Sequence, residues 1–142
     1  MNKIAIIYWS GSGNTEKMAK AIEKGIQQVG QEVEVFQTSD FNTKDISSYD
    51  KFVFGCPSMG CEVLEESEFE PFFQEIEDAL KDKQVALFGS YGWGDGEWMR
   101  NWQDRVTQNG AKLFEEGLII NSAPDQAGEE KCIAFGERFA KE

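Results

Sequence analysis

The stretch KIAIIYWSGSGNTEKM, Lys3 to Met18, decides the fold. After Lys3, the five residues IAIIY are apolar and rich in β-branched side chains, and residues 3–8 read as a short buried strand. From Asn14 the period changes: Met18, Ile22, Ile26 and Val29 recur every three or four residues, with Lys17, Lys20, Glu23 and Lys24 between them. That is an amphipathic helix stopped at Gly30. The six residues SGSGNT (10–15) must turn the chain from strand to helix, and they carry hydroxyls, an amide and two glycines but no basic side chain.

The same alternation continues outward. EVEVF (32–36) and KFVFG (51–55) read as strands joined by a polar connection. Ser67 and Glu70 have the spacing of a capping box ahead of Phe69, Phe72, Phe73, Ile76 and Leu80, which share one helical face. QVALFG (84–89) is a fourth strand, and Trp98, Trp102 and Val106 mark the core face of the next helix. KLFEEGLII (112–120) is a strand with an acidic interruption. Cys132, Phe135 and Phe139 mark a terminal helix. Strands alternating with crossovers of helical length predict an α/β fold, a parallel sheet covered on both faces. No repeat or linker divides residues 1–142, so a single domain is expected.

Composition narrows the function. No histidine occurs among the 142 residues, which removes Ser-His-Asp and Cys-His catalysis and His-containing zinc sites. Cys56, Cys61 and Cys132 form no C-x-x-C pair and read as reduced thiols, as in the cytoplasm. Acidic residues outnumber basic ones 26 to 14, for a formal charge of −12. Such a surface repels nucleic acid and anionic membrane and suits a basic protein partner. No apolar run reaches the length of a membrane span, and the N-terminus lacks a signal-peptide pattern.

Open sheets of this class bind ligands beyond the carboxyl ends of their strands. Three loops lie there. The first, SGSGNT, fits neither G-x-G-x-x-G nor the P-loop, because Glu16 stands where each would need glycine. Its Ser10, Ser12, Asn14 and Thr15 groups and the N–H groups at a helix start suit a terminal phosphate, and equally a simple capped turn. The second, PSMGCEVLEESEFE (57–70), sets Met59 beside Gly60 ahead of an acidic run that reads as a solvated helix start. The third, SYGWGDG (90–96), holds Trp93 between two glycines, a flat surface available to an aromatic ligand.

Taken together, YWSGSGNTEKMA, SMG-x-EVLEESEFEPF and ALFGSYGWGDG-x-WM resemble, in order, the three ligand loops of the flavodoxins, the short-chain clostridial type above all. The resemblance implies a flavodoxin-like three-layer sandwich with strand order 2-1-3-4-5. It implies non-covalent FMN and low-potential one-electron transfer between redox proteins, with no catalytic residue and no metal. An FMN-dependent NAD(P)H or quinone reductase of the same fold is the alternative. A receiver-type domain would need clustered acids where this chain has Tyr8-Trp9-Ser10.

Carried onto this chain, Ser10, Gly11, Ser12, Gly13, Asn14 and Thr15 would hold the phosphate. Met59 and Trp93 would cover the two ring faces. Ser90, Tyr91, Gly92, Trp93 and Gly94 would meet the pyrimidine edge, with Glu62 near N3. The Gly60–Cys61 peptide would rotate on reduction to offer the Gly60 carbonyl to N5–H. Pro57 and Ser58 complete the second loop, with Pro57 standing where relatives often carry a phosphate-directed hydroxyl. Cys61 replaces the aspartate, asparagine or glycine of relatives in an expected type II turn over residues 59–62. Partners with basic docking surfaces and a monomeric state are expected.

Overall fold

The structure, a computed structural model, describes residues 3–60 and 62–142. The expectations placed on Cys61 lie outside the described residues. Six strands form one parallel sheet: β1 (Ile4–Tyr8), β2 (Val33–Gln37), β3 (Lys51–Gly55), β4 (Gln84–Tyr91), β5 (Lys112–Leu113) and β6 (Leu118–Asn121). The order is β2-β1-β3-β4-β5, and β6 also pairs with β4. β5 and β6 are thus two halves of the expected fifth strand, parted at Phe114–Gly117 where the acidic interruption falls.

Period two explains why β1 and β3 read as unbroken apolar runs. Ile4, Ile6, Tyr8 and Val53 face the helices α1 (Asn14–Gln28) and α4 (Gln126–Ala140). Ala5, Ile7, Phe52 and Phe54 face α2 (Phe69–Ile76) and α3 (Glu97–Gln108). Both faces are dry, so neither set can be polar. The β2–β3 crossover departs from the helical alternation: it consists of 3-10 turns at Thr38–Asp40 and Thr43–Ser48. Phe41 and Tyr49 still plug that side of the core.

The capping box expected from Ser67 and Glu70 does not form. Glu70 instead pairs with Arg105 of α3 at 2.7 Å, and Arg105 also holds Glu77 at 2.8 Å while lying 4.9 Å from the Phe73 ring centre. The start of α2 is capped by Glu65, whose carboxylate accepts from the N–H groups of Glu68 at 2.7 Å and Phe69 at 2.8 Å. Glu65 is 5% exposed, so the acidic run is not a uniformly solvated one.

The hydrogen bond from Arg105 holds the Glu77 carboxyl below its ordinary range, against the opposing effect of burial. A depressed folded-state value adds stability above the ordinary carboxylate pKa that is lost as pH falls through the depressed one. Glu77→Gln is therefore expected to cost about 1 kcal/mol at pH 7 and much less near pH 3, read from urea unfolding at both. Equal losses at both pH values would assign the effect to packing.

Candidate functional site

The first loop is shaped by its own hydroxyl. Ser10 Oγ accepts from the N–H of Gly13 at 3.1 Å and of Glu16 at 3.3 Å, folding the turn back on itself. Gly13, at φ 96°, is the residue before α1 and occupies a left-handed conformation that a Cβ would strain. The N–H groups of Gly11, Ser12, Asn14 and Thr15 meet no acceptor among the described residues. They lie at the positive end of a fifteen-residue helix. Thr15 is buried and its hydroxyl shares a 2.8 Å hydrogen bond with that of Ser90, tying the first loop to the third.

The second loop leaves the sheet at Cys56, whose N–H donates to Phe88 O at 3.1 Å and whose carbonyl accepts from Trp98 Nε1 at 3.1 Å. Ser58 N–H is spent on Ser90 O at 3.0 Å. Met59 and Val63 then exchange both backbone hydrogen bonds, at 2.9 and 3.0 Å, closing a small hairpin. Gly60 at φ 45° and Glu62 at φ 54° are left-handed. Gly60 thus departs from the φ near −60° that the type II turn expected over residues 59–62 would give it, while the Cys61 corner of that turn lies outside the described residues.

Glu62 reaches from this hairpin to the third loop. Its carboxylate accepts from the N–H of Gly96 at 3.2 Å and of Glu97 at 2.9 Å, capping α3. It also lies so close to Gly94 that a Cβ there would fall 2.6 Å from the carboxylate carbon. Between these contacts Trp93 stands out from the loop, 63% exposed, while Trp98 and Trp102 are core residues as expected.

A cleft of about 310 Å³ opens between the loops. Gly11, Ser12 and Asn14 line it from the first loop, Pro57, Ser58 and Met59 from the second, and Ser90, Tyr91 and Gly92 from the third. Ser10, Gly13 and Thr15 belong to the same first loop but do not line the cleft. Gly60, Glu62, Trp93 and Gly94 stand at the neighbouring loop tips, outside the lining. Among the described residues no lysine or arginine lines the cleft.

Two lining residues were not among the expected ones. Trp9 follows β1 and packs against Gly11, where a Cβ would lie 3.0 Å from its ring. Ser122 follows β6, is left-handed at φ 59°, and donates its N–H to Tyr91 O at 2.7 Å. It belongs to a fourth loop at the same sheet edge, which the rule that pointed to the other three also covers.

Cys56 and Cys132 are free and buried, and burial pushes both thiols up, that of Cys132 to about 12. They are packing residues rather than nucleophiles. Among the described residues no group of acidic and thiol side chains could hold a metal ion, and no helix is long and apolar enough to cross a membrane.

The sequence model of the family described as Flavodoxin matches residues 6–136. The chain belongs to the flavodoxin family. It is 51% identical to a flavodoxin of Clostridium beijerinckii over 135 residues, covering 95% of this chain and 97% of that one. Identity to the Megasphaera elsdenii flavodoxin is 47% over 138 residues, covering 97% and 98%. The solution structure of that protein in its two-electron reduced form superposes with a TM-score of 0.89 over 98% of this chain and 99% of the other. The short-chain resemblance and the strand order are thereby borne out. As a flavodoxin the chain is an electron-transfer protein with FMN as its cofactor, not an enzyme, and nothing favours the reductase alternative.

Proposed function

We propose that the chain holds FMN between its three loops and serves as a low-potential one-electron carrier between redox proteins. The observation that carries this is the set of N–H groups at the start of α1 that meet no acceptor among the described residues, beside a cleft that no described basic side chain lines and an exposed tryptophan borders. Bound FMN supplies reversible one-electron chemistry in its ring. The residues present fit it. Gly11, Ser12, Asn14 and Thr15 offer N–H donors to the phosphate, and Ser10 keeps the turn in shape. Pro57 has no N–H and Ser58 has already spent its own, so the second loop contributes at most the Ser58 hydroxyl to the phosphate. Met59 and Trp93 are the two apolar groups available to the ring faces. Tyr91, Gly92 and Gly94 offer backbone at the ring edge, and Glu62 would turn toward N3 from its present place beside Gly94.

The absent cation sets the potential. Neutral donors leave the phosphate charge uncompensated, inside a chain of net charge −12. One like charge at about 10 Å and an effective dielectric of about 40 opposes reduction by roughly 0.8 kcal/mol, or about 36 mV per electron. Ser12→Lys is expected to raise the potential by about 30 mV at low salt and less at high salt, measured by spectroelectrochemical titration. A lowered or unmoved potential at low salt would sink the electrostatic account. The net charge of −12, with Glu66 and Glu97 exposed on and beside the second and third loops, suits partners with basic docking surfaces, and buried reduced thiols suit the cytoplasm. We place residues 1–142 in one domain acting as a monomer.

Reconstitution with FMN tests the reading. One flavin per chain is expected in the visible spectrum, with reversible reduction by dithionite and no catalytic oxidation of NAD(P)H. Absence of flavin bands after reconstitution would overturn it.

A further inference from the structure

The second loop hangs between two points, and one residue fastens its base with every polar atom it has. Glu65 N–H donates to Cys56 Sγ at 3.3 Å, joining the residue that ends the loop to the one that begins it. Glu65 O accepts from Glu70 N–H at 2.8 Å. Its carboxylate accepts from the N–H groups of Ser67 at 2.9 Å, Glu68 at 2.7 Å and Phe69 at 2.8 Å, and from the Ser67 hydroxyl. The carboxylate of a residue only 5% exposed is costly unless so satisfied, whereas a plain helix cap at Glu68 could have stayed in water. The hairpin above it has its own two backbone bonds, the Ser58 bond to Ser90, buried Leu64, and the reach of Glu62 to α3.

We propose that Glu65 is a positioning residue for the flavin site: its carboxylate fixes the start of α2 while its N–H holds Cys56 Sγ, so that one residue joins the helix to the base of the loop from which the Met59–Val63 hairpin is presented to the ring. This rests on the reading of the cleft as the FMN site. It makes one member of an acidic run a structural determinant of cofactor affinity, distinct from its neighbours Glu66 and Glu68, which are exposed.

The test compares wild type, Glu65→Gln and Ser67→Ala with Phe139→Leu, a core change in α4 far from the loop. FMN affinity is measured by fluorescence quenching, and amide hydrogen exchange at Met59 and Val63 is followed in the FMN-free protein. Glu65→Gln is expected to weaken FMN about tenfold and to speed exchange at both amides about tenfold, with Ile6 in β1 little changed. Ser67→Ala, which keeps the carboxylate and removes one donor, should show the same pattern more weakly and serves if Glu65→Gln fails to fold. Phe139→Leu should lower the melting temperature and leave both readouts in place. Unchanged affinity and unchanged Met59 and Val63 exchange in a destabilised Glu65→Gln protein would make Glu65 a helix cap and nothing more. Failure of the wild type to take up FMN would instead overturn the site reading itself, and this inference with it.

Discussion

Gly25→Val and Gly136→Val are each expected to leave little cooperatively folded protein, and Gly25→Ala to lower the melting temperature by roughly 10 °C in circular dichroism. The reason is where α1 crosses α4. A Cβ built on Gly25 would lie 2.0 Å from the carbonyl oxygen of Ile133, and one on Gly136 would lie 2.3 Å from that of Ile22. In both places the obstacle is backbone, so no rotamer change relieves it and a whole helix must retreat. Those helices carry Met18, Ile22, Ile26, Cys132, Phe135 and Phe139 onto Ile4, Ile6 and Phe88, one entire side of the sheet. Overpacking ordinarily costs about 1–3 kcal/mol when side chains can yield. Here about 3 kcal/mol for alanine, and more for valine, is a large part of the roughly 5–15 kcal/mol that holds a domain together. A melting temperature within about 2 °C of wild type in Gly25→Ala would mean that the helices slide apart freely.

Neither glycine looks unusual in the sequence, because what makes it necessary is a helix more than a hundred residues away. The same division between local and distant causes runs through the molecule. β1, β3 and β4 were legible because burial on both faces leaves apolar runs, and α1 because its period and Gly30 are local. The three loops were legible because strand ends and glycines are local too. Glu65 was not: Glu66, Glu68 and Glu70 share its run, and only the fold decides which carboxylate turns inward to the donors of Ser67, Glu68 and Phe69. Glu62 was expected from the family pattern, but its role as the cap of α3 depends on Gly96 and Glu97, more than thirty positions on. Ser122 entered the cleft through a left-handed backbone that no serine advertises. The crossover after β2 lacked helical periodicity, and its 3-10 turns follow from that.

Riboflavin, which lacks the phosphate, is expected to bind about a thousandfold more weakly than FMN. Four N–H groups at the start of α1 meet no acceptor within the described chain, and each hydrogen bond from such a group to a charged oxygen contributes about 1.5–3 kcal/mol. If two or three of them reach the phosphate, about 4 kcal/mol survives the repulsion of a −12 chain, which is about a thousandfold. Because the donors are fixed neutral dipoles rather than lysines, and salt screens the repulsion of the chain as well as the attraction of the dipoles, the ratio is expected to change less than tenfold between 50 and 500 mM salt. Acid should matter more. The second proton of a phosphate monoester titrates near pH 6 in water, and a helix start favours the dianion, so FMN affinity is expected to weaken from pH 7 to pH 5 while riboflavin affinity stays level. Titrating both ligands by fluorescence quenching at the two pH values separates the contributions. Equal affinity for the two flavins would show that SGSGNT is a capped turn and not a phosphate site.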